Sequence, residues 1–311
     1  MDRRGRRDGR TARESWRTRR MLRQMDRAAH RAARRAGSAR FSTPRVGTPR
    51  VLALLLVLVL GGALAAGWRD GGWDSLTSPF VPRVYVEIEG RAVAVPRPEP
   101  SEGRLRPVVP VTTSGSYAFL HTDDTGEPVG YDPCRPIRYV VRPDGMPPSG
   151  QALLADAVTV VSEASGLEFV DVGVTDEAPT LDRALIQPER YGPGWAPVLV
   201  AWSDESEVAE LAGNVAGVAG SAAVPGSRGE GTWLAAGRMV LDAPDLVALL
   251  GRADGYEQAR AIVVHELAHV VGLDHVQDTG ELMHPMTSHR ADLGPGDLAG
   301  LAMLGQVACQ G

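Results

Sequence analysis

The sequence predicts an α+β domain over residues 116–311. Two kinds of hydrophobic pattern predict it: short segments of continuous or alternating apolar residues, typical of strands, and longer segments with apolar residues three and four apart, typical of helices. Strands are expected at 137–142, 167–172 and 197–202, with weaker candidates at 219–224 and 238–242. Helices are expected at 151–164 and 254–271. With 311 residues, 43% of them apolar, the chain can bury one such core and still leave length to spare.

The predicted elements differ in how many faces they bury. Residues 197–202 are apolar at nearly every position, which indicates a strand buried on both faces. Residues 167–172 alternate between apolar and polar side chains, as a half-buried strand does. The helix from Asp254 has Glu257 in position for a capping box. The helix at 151–164 carries one apolar stripe, formed by Leu153, Leu154, Ala157, Val158 and Val161.

The last predicted helix and the turn after it carry the residues that predict chemistry. His265 and His269 lie four apart on one helix face, so both can reach a single metal ion. Glu266 is on the same helix and can accept a proton beside that metal. Gly272 permits a sharp turn that returns His275 as a third ligand. Three imidazoles without a fourth protein ligand are typical of catalytic zinc; the alternative, histidines paired in an apolar core, explains fewer of these residues.

The same segment resembles a known clan of enzymes. The pattern H-E-x-x-H-x-x-G-x-x-H, followed by a methionine turn, is similar to that of the metzincin zinc metalloproteases. Leu282-Met283-His284-Pro285 resembles the turn of the matrixin branch, and 293–305 resembles the closing helix of a matrixin catalytic domain. Residues 132–137 resemble the opening strand of secreted bacterial matrixin-like proteins. The resemblance covers 116–311.

This resemblance implies both a fold and a set of roles. The fold would be zincin-like or metzincin-like: a mixed, mostly parallel sheet with an antiparallel edge strand, an active-site helix and a C-terminal helix. In the expected order, a strand, a helix and four strands precede the zinc helix, and the edge strand at 219–224 would bind an extended peptide. Structural Ca2+ stays an open question: acidic residues are numerous, but no run of them has calcium-loop spacing. One catalytic Zn2+ is implied, with Glu266 as general base, Gly272 and Met283 as structural residues of the site, and the ligands His265, His269 and His275.

The N-terminal part has a different composition. Residues 1–50 hold 17 Arg against 4 acids, or +13, while the rest holds 16 Arg against 34 acids, or −18. We expect 1–50 to be a disordered basic tail in the cytoplasm and 51–68, apolar and uncharged, to be a transmembrane helix. The alternative is a cleaved signal peptide and a secreted chain. Attraction to an anionic membrane surface explains the arginines more simply than nucleic-acid binding, which is not expected.

Two further predictions concern the part outside the membrane. Residues 69–115, rich in Gly and Pro, are expected to form an extracellular stalk or a small pro-segment, with one short strand or hairpin at 81–95. Cys134 and Cys309 are the only cysteines. In an oxidising compartment they predict a disulfide between the two ends of the domain, because neither has another thiol or imidazole at ligand spacing.

Together these observations predict a membrane-anchored extracellular zinc endopeptidase that acts on protein or peptide substrates. Two alternatives remain at this point: a catalytically silent envelope module that uses the same fold for binding, and a zinc amidase that acts on cell-wall peptides.

Overall fold

A five-stranded sheet forms the centre of the domain. The computed structural model describes residues 84–88, 91–286 and 290–311. Its strands, in chain order, are β1 (Tyr85–Ile88), β2 (Arg91–Ala94), β3 (Ala118–Phe119), β4 (Ile137–Arg142), β5 (Phe169–Val174), β6 (Val198–Ser203), β7 (Gly217–Pro225), β8 (Thr232–Asp242) and β9 (Leu273–Asp274). Its helices are α1 (Gly150–Ser165), α2 (Pro188–Tyr191), α3 (Ala243–Leu250), α4 (Gly255–Val271) and α5 (Pro295–Leu304), with a 3-10 turn at Ala209–Leu211.

The sheet has the order β5-β4-β6-β8-β7. The first four of these strands run parallel, and β7 alone pairs antiparallel, with β8, at one edge. β6 is buried at every position, as its continuous apolar sequence predicts, because it lies in the middle of the sheet. The predicted mixed, mostly parallel sheet with an antiparallel edge strand, an active-site helix and a C-terminal helix is therefore confirmed.

The main core lies between the sheet and the helices α1 and α4. It joins buried residues of α1 such as Leu153 and Val161, of the sheet such as Trp202 and Met239, and most of the apolar residues of α4. α4 has so few exposed positions because the sheet, α1, α3 and α5 all contact it. The helix that carries the predicted zinc motif is thus held rigidly from several sides.

The structure differs from the sequence prediction at several boundaries. The strand expected at 167–172 is displaced by two residues, to Phe169–Val174. α3 was not predicted, so four strands do not lead directly into the zinc helix; Asp242 caps α3 by accepting a hydrogen bond from the Asp245 amide at 2.8 Å. The capping box expected at Asp254 and Glu257 was also wrong, because Asp254 makes no side-chain cap at the start of α4.

The segment before residue 116 is attached to the domain along much of its length. Ser101 Oγ donates to the Cys134 carbonyl at 2.8 Å, the Leu105 amide donates to the Pro133 carbonyl at 3.1 Å, and Thr113 Oγ1 donates to the Pro295 carbonyl at 2.8 Å. β1 and β2 form the expected hairpin. The predicted boundary at 116 therefore does not mark where packing on the domain begins.

The predicted basic tail (1–50), transmembrane helix (51–68) and first part of the stalk (69–83) lie outside the described residues. Among the residues that are described, no helix combines the length and the apolar character needed to cross a bilayer.

Candidate active site

Three imidazoles meet at the end of α4. The Nε2 atoms of His265, His269 and His275 form a triangle in which each pair is 3.1 Å apart. His265 and His269 stand one turn apart on the helix, and His275 returns after it, as the spacing predicted. His269 is buried and His275 is exposed, so the triangle opens toward solvent on one side.

The hydrogen bonds of the Nδ1 atoms fix the tautomer of two of these imidazoles. His265 Nδ1 lies 2.7 Å from the Leu282 carbonyl, and His269 Nδ1 lies 2.8 Å from the Leu273 carbonyl. A carbonyl only accepts, so both Nδ1 atoms donate and both Nε2 atoms present lone pairs. Burial, reinforced by neighbouring imidazoles, lowers the pKa of His265 to about 3. Burial lowers the pKa of His269 to about 4, so both rings are neutral at pH 7.

This arrangement fits a zinc ion. Zn–N bonds are about 2.0–2.1 Å long, so one ion can lie within bonding distance of two nitrogens that are 3.1 Å apart. Converging lone pairs on neutral imidazoles would repel one another without a cation between them. Among the described residues one other cluster has metal-ligand spacing, formed by Asp132, Cys134 and Cys309, but its two sulfurs are joined in a disulfide.

Glu266, which follows His265 on α4, has an unusual environment. It is only 7% exposed, and no described residue donates a hydrogen bond to its carboxyl group. Burial raises its pKa to about 8. A buried carboxyl with a pKa raised by burial is a candidate acid or base. A divalent cation beside it would favour the ionised form that a base requires.

Gly217, at the start of the edge strand, makes the space for Glu266. A Cβ atom at position 217 would lie 3.2 Å from the nearer carboxylate oxygen of Glu266 and closer still to its carbon atoms. The edge strand therefore approaches α4 at this point in a way that only glycine allows. Gly217 could not be predicted from the sequence, because no motif marks a contact between residues so far apart in the chain.

The turn that carries His275 is held by a short strand pair. Gly272 ends α4 with φ 120°, a left-handed conformation, and its amide donates to the carbonyls of Ala268 and His269 at 3.1 Å. β9 then pairs antiparallel with β3, and the Leu120 amide donates to the Gly272 carbonyl at 2.9 Å. The predicted role of Gly272 in the turn agrees with this geometry. The contribution of β3 was not predicted, since two residues carry too little pattern.

The methionine turn is fixed to the start of α5. The Asp297 carboxylate accepts hydrogen bonds from the amides of Leu282 at 2.5 Å, Met283 at 3.3 Å and Gly294 at 2.8 Å. Because the Leu282 carbonyl accepts from His265, Asp297 supports a candidate ligand through one peptide group. Met283 is buried, and its carbonyl accepts from the Val276 amide at 3.1 Å. The structural role of Met283 at the site stays a prediction.

The predicted disulfide between Cys134 and Cys309 is present. It joins the loop before β4 to the C-terminal tail, far from the three histidines in sequence. Two acidic residues outside the zinc motif accept hydrogen bonds within their own turns: Asp123 from the Thr125 amide and Asp204 from the Ser206 amide, both at 2.8 Å.

Comparisons with known proteins agree with this site. Residues 200–304, from β6 to α5, match the model of the family described as Matrixin. No curated protein is similar enough to the chain to count as a match. Among solved structures, the chain is similar to archaemetzincin from Methanopyrus kandleri, with 18% identity over 54% of this chain and 93% of that one and a TM-score of 0.33. It is also similar to high choriolytic enzyme 1, a hatching enzyme zinc-protease from the medaka fish Oryzias latipes, with 12% identity over 64% of this chain and 100% of that one and a TM-score of 0.28.

The segment that matches the matrixins contains the edge strand, the helix with His265 and His269, the returning His275 and the methionine turn. The matched segment and the geometry of these residues support a zinc metalloprotease whose residues 200–304 are similar to the matrixins.

Proposed function

We propose that the chain is a membrane-anchored extracellular endopeptidase in which His265, His269 and His275 hold one Zn2+ and Glu266 is the general base. The observation that carries the proposal is the triangle of Nε2 atoms, each pair 3.1 Å apart, together with the buried carboxyl group of Glu266, the residue after His265 on the same helix. When bound, zinc would lower the pKa of a water molecule to roughly 7 and polarise the scissile carbonyl.

Glu266 has the properties of the proton carrier in this reaction. Its side chain is shielded from solvent and has no competing hydrogen-bond donor among the described residues. It takes the proton that the attacking water gives up, and it passes that proton to the nitrogen of the departing amine as the C–N bond breaks. Gly217 leaves the room that this side chain occupies, since a Cβ atom there would lie 2.7 Å from Cγ of Glu266.

The substrate is an extended polypeptide that lies along β7. β7 is the terminal strand of the sheet and contacts α4, so a peptide added at its free edge lies next to the histidines. Main-chain pairing of this kind recognises the backbone of the substrate more than its side chains. A protease that binds its substrate in this way can act on many sequences.

The proposed location rests on composition. The apolar segment 51–68 follows a tail of +13 and precedes a domain with a disulfide, which forms in oxidising compartments. The N-terminus would therefore lie in the cytoplasm and the catalytic domain outside. Fractionation of cells that express the full chain tests the anchor: recovery of the uncleaved chain in the soluble fraction would contradict it.

The catalytic proposal is tested with the full chain and a denatured protein as substrate. We expect cleavage that a zinc chelator abolishes and that added Zn2+ restores. Cleavage that persists after complete removal of metal would contradict the proposal, as would a zinc-loaded chain that cleaves no peptide bond.

A further inference from the structure

A β-bulge lies beside the active-site helix, in the strand next to the edge. The pairing of β7 with β8 shifts register between Gly220 and Ala222. As a result Ser221 on β7 faces two residues of β8, Ala236 and Gly237. Ala236 adopts φ 50°, the one positive φ of a residue other than glycine in the described part of the chain. Bulges at such places commonly redirect a side chain near a site.

Here the redirected group is the hydroxyl of Ser221. Ser221 Oγ donates to the Val270 carbonyl at 2.7 Å and lies 2.8 Å from Tyr131 Oη. Its one proton is used on Val270, so Tyr131 is the donor to Ser221. Val270 is in the last turn of α4, where carbonyls have no partner within the helix. The two hydroxyls therefore form a chain of hydrogen bonds from a buried tyrosine, through the edge strand, to the end of the zinc helix.

The surroundings are built around this chain. A Cβ atom at Gly237 would lie 2.3 Å from Ser221 Oγ and 2.8 Å from Tyr131 Oη, so the bulge needs glycine there. The carbonyls of Ala236 and Gly237 accept hydrogen bonds from the buried Arg183, at 3.4 and 3.0 Å. Both residues of the bulge thus have hydrogen-bonded carbonyl groups, and these bonds fix the geometry of the bulge.

The pairing of β7 with β8 shows which backbone groups of β7 point to the free edge of the sheet. The Asp242 amide donates to the Ala216 carbonyl at 2.9 Å, so residue 216 pairs with β8. In an antiparallel ladder alternate residues face alternate sides. The N–H and C=O groups of Gly217 and Ala219 therefore point to the free edge, and the bulge follows at Ser221. Gly217 and Ser221, on either side of Ala219, contact α4 at Glu266 and Val270.

We propose that Ser221 is a positioning residue for substrate: its hydroxyl, held by Tyr131, fixes the free edge of β7 in register with the zinc helix. This inference rests on the proposed peptidase function. A peptide that pairs with β7 is then presented at a set height above the histidines. Without the hydroxyl, the Val270 carbonyl and the Tyr131 hydroxyl lose their partners, and the edge must be ordered again each time an extended peptide binds.

The test is the Ser221→Ala variant of the full chain, assayed with an extended peptide and with a dipeptide derivative too short to follow β7. We expect KM for the extended peptide to rise about tenfold, the size of effect that follows from an unsatisfied buried polar group. We expect kcat and zinc content to stay within about twofold of the wild type, because uniform binding is what is lost. KM for the dipeptide derivative should not change.

Two further variants separate positioning from loss of stability. Tyr131→Phe should raise KM in the same direction but by less, since the bond from Ser221 to Val270 survives. Ser162→Ala is the matched control, because it removes a buried hydroxyl that donates to the Leu167 carbonyl at 2.6 Å, at the end of α1. It should leave KM unchanged.

An unchanged KM for the extended peptide in both Ser221→Ala and Tyr131→Phe, in a wild type that cleaves that peptide, would overturn this inference alone. An equal rise in Ser162→Ala would also overturn it, by showing a general effect of lost stability. If Ser221→Ala does not fold, Tyr131→Phe decides the question. A zinc-loaded wild type that cleaves no peptide would overturn the proposed function and this inference with it.

Discussion

A Cβ atom added to Gly217 would lie 2.7 Å from Cγ of Glu266 and 2.9 Å from its Cδ. These are inner atoms of a buried side chain, so they cannot move aside freely. Gly217→Ala should therefore displace the carboxyl group of Glu266 while leaving the three histidines in place. A displacement of about 1 Å at a reacting group can reduce turnover by about a hundredfold. We expect kcat to fall by about that factor, with zinc content unchanged.

Gly194→Ala is the matched control for this variant. Gly194 has no neighbour within 4 Å of an added Cβ, and its φ is not in the left-handed region. Its kcat should equal that of the wild type. Full activity of Gly217→Ala would show that the edge strand does not constrain Glu266.

The disulfide is expected to stabilise the domain. Cys134 and Cys309 are 175 residues apart in the sequence, so the bond constrains a long loop in the unfolded chain. The chain-entropy estimate for such a loop is about 5 kcal/mol as an upper figure. The double variant Cys134→Ala with Cys309→Ala should unfold at a lower urea concentration than the oxidised wild type. Reduction of the wild type should lower its midpoint similarly, and equal midpoints for all three forms would contradict this prediction.

The buried ion pair between Glu177 and Arg183 is expected to make stability depend on pH. The two side chains bond at 2.7 and 2.9 Å, and they are 9% (Glu177) and 2% (Arg183) exposed. Burial opposes the ionised form, but hydrogen bonds from Arg183, Gln187 and Tyr191 prevail and hold the pKa of Glu177 below its usual 4.5. A lowered carboxyl pKa contributes stability that is present above pH 4.5 and is lost as the pH falls through the folded-state value.

Glu177→Gln leaves Arg183 buried without a charged partner and should destabilise the domain by about 3–5 kcal/mol at pH 7. The difference in unfolding free energy from the wild type should shrink below pH 4.5, as the wild-type carboxyl takes up a proton. Urea unfolding at pH 7 and at a pH below 4.5 measures this difference. Glu99→Gln is the control: it breaks an exposed pair with Arg138, worth about 0–1 kcal/mol. If the destabilisation caused by Glu177→Gln grew as the pH fell, that result would contradict the lowered pKa of Glu177.

The zinc motif could be predicted because its geometry is local. His265 and His269 are placed by helical period alone, and Gly272 marks the turn that returns His275. The edge strand at 219–224 was also predicted, through its resemblance to a known family, and it lies within β7. α3 was missed although Asp242 followed closely by Pro244 is a helix-start signal that could have found it.

Contacts set by register could not be predicted in the same way. Gly217 meets Glu266 and Ser221 meets Val270 only because one strand crosses one helix at a particular height, with a bulge in between. A sequence pattern of period two gives the faces of a strand but not its position along a partner. The residues before 116 show the same limit: their prolines favour a spacer, while the hydrogen bonds of Ser101, Leu105 and Thr113 attach them to the domain.

The central claim is that three imidazoles hold a zinc ion while Glu266 moves the proton. Zinc content and turnover of Glu266→Gln, measured beside the wild type and His269→Ala, test it most directly. We expect one zinc per chain in the wild type and in Glu266→Gln, with turnover of the latter reduced by about 10²–10⁴, and a loss of zinc only in His269→Ala. Wild-type turnover in Glu266→Gln, or zinc loss in that variant equal to the loss in His269→Ala, would contradict the account.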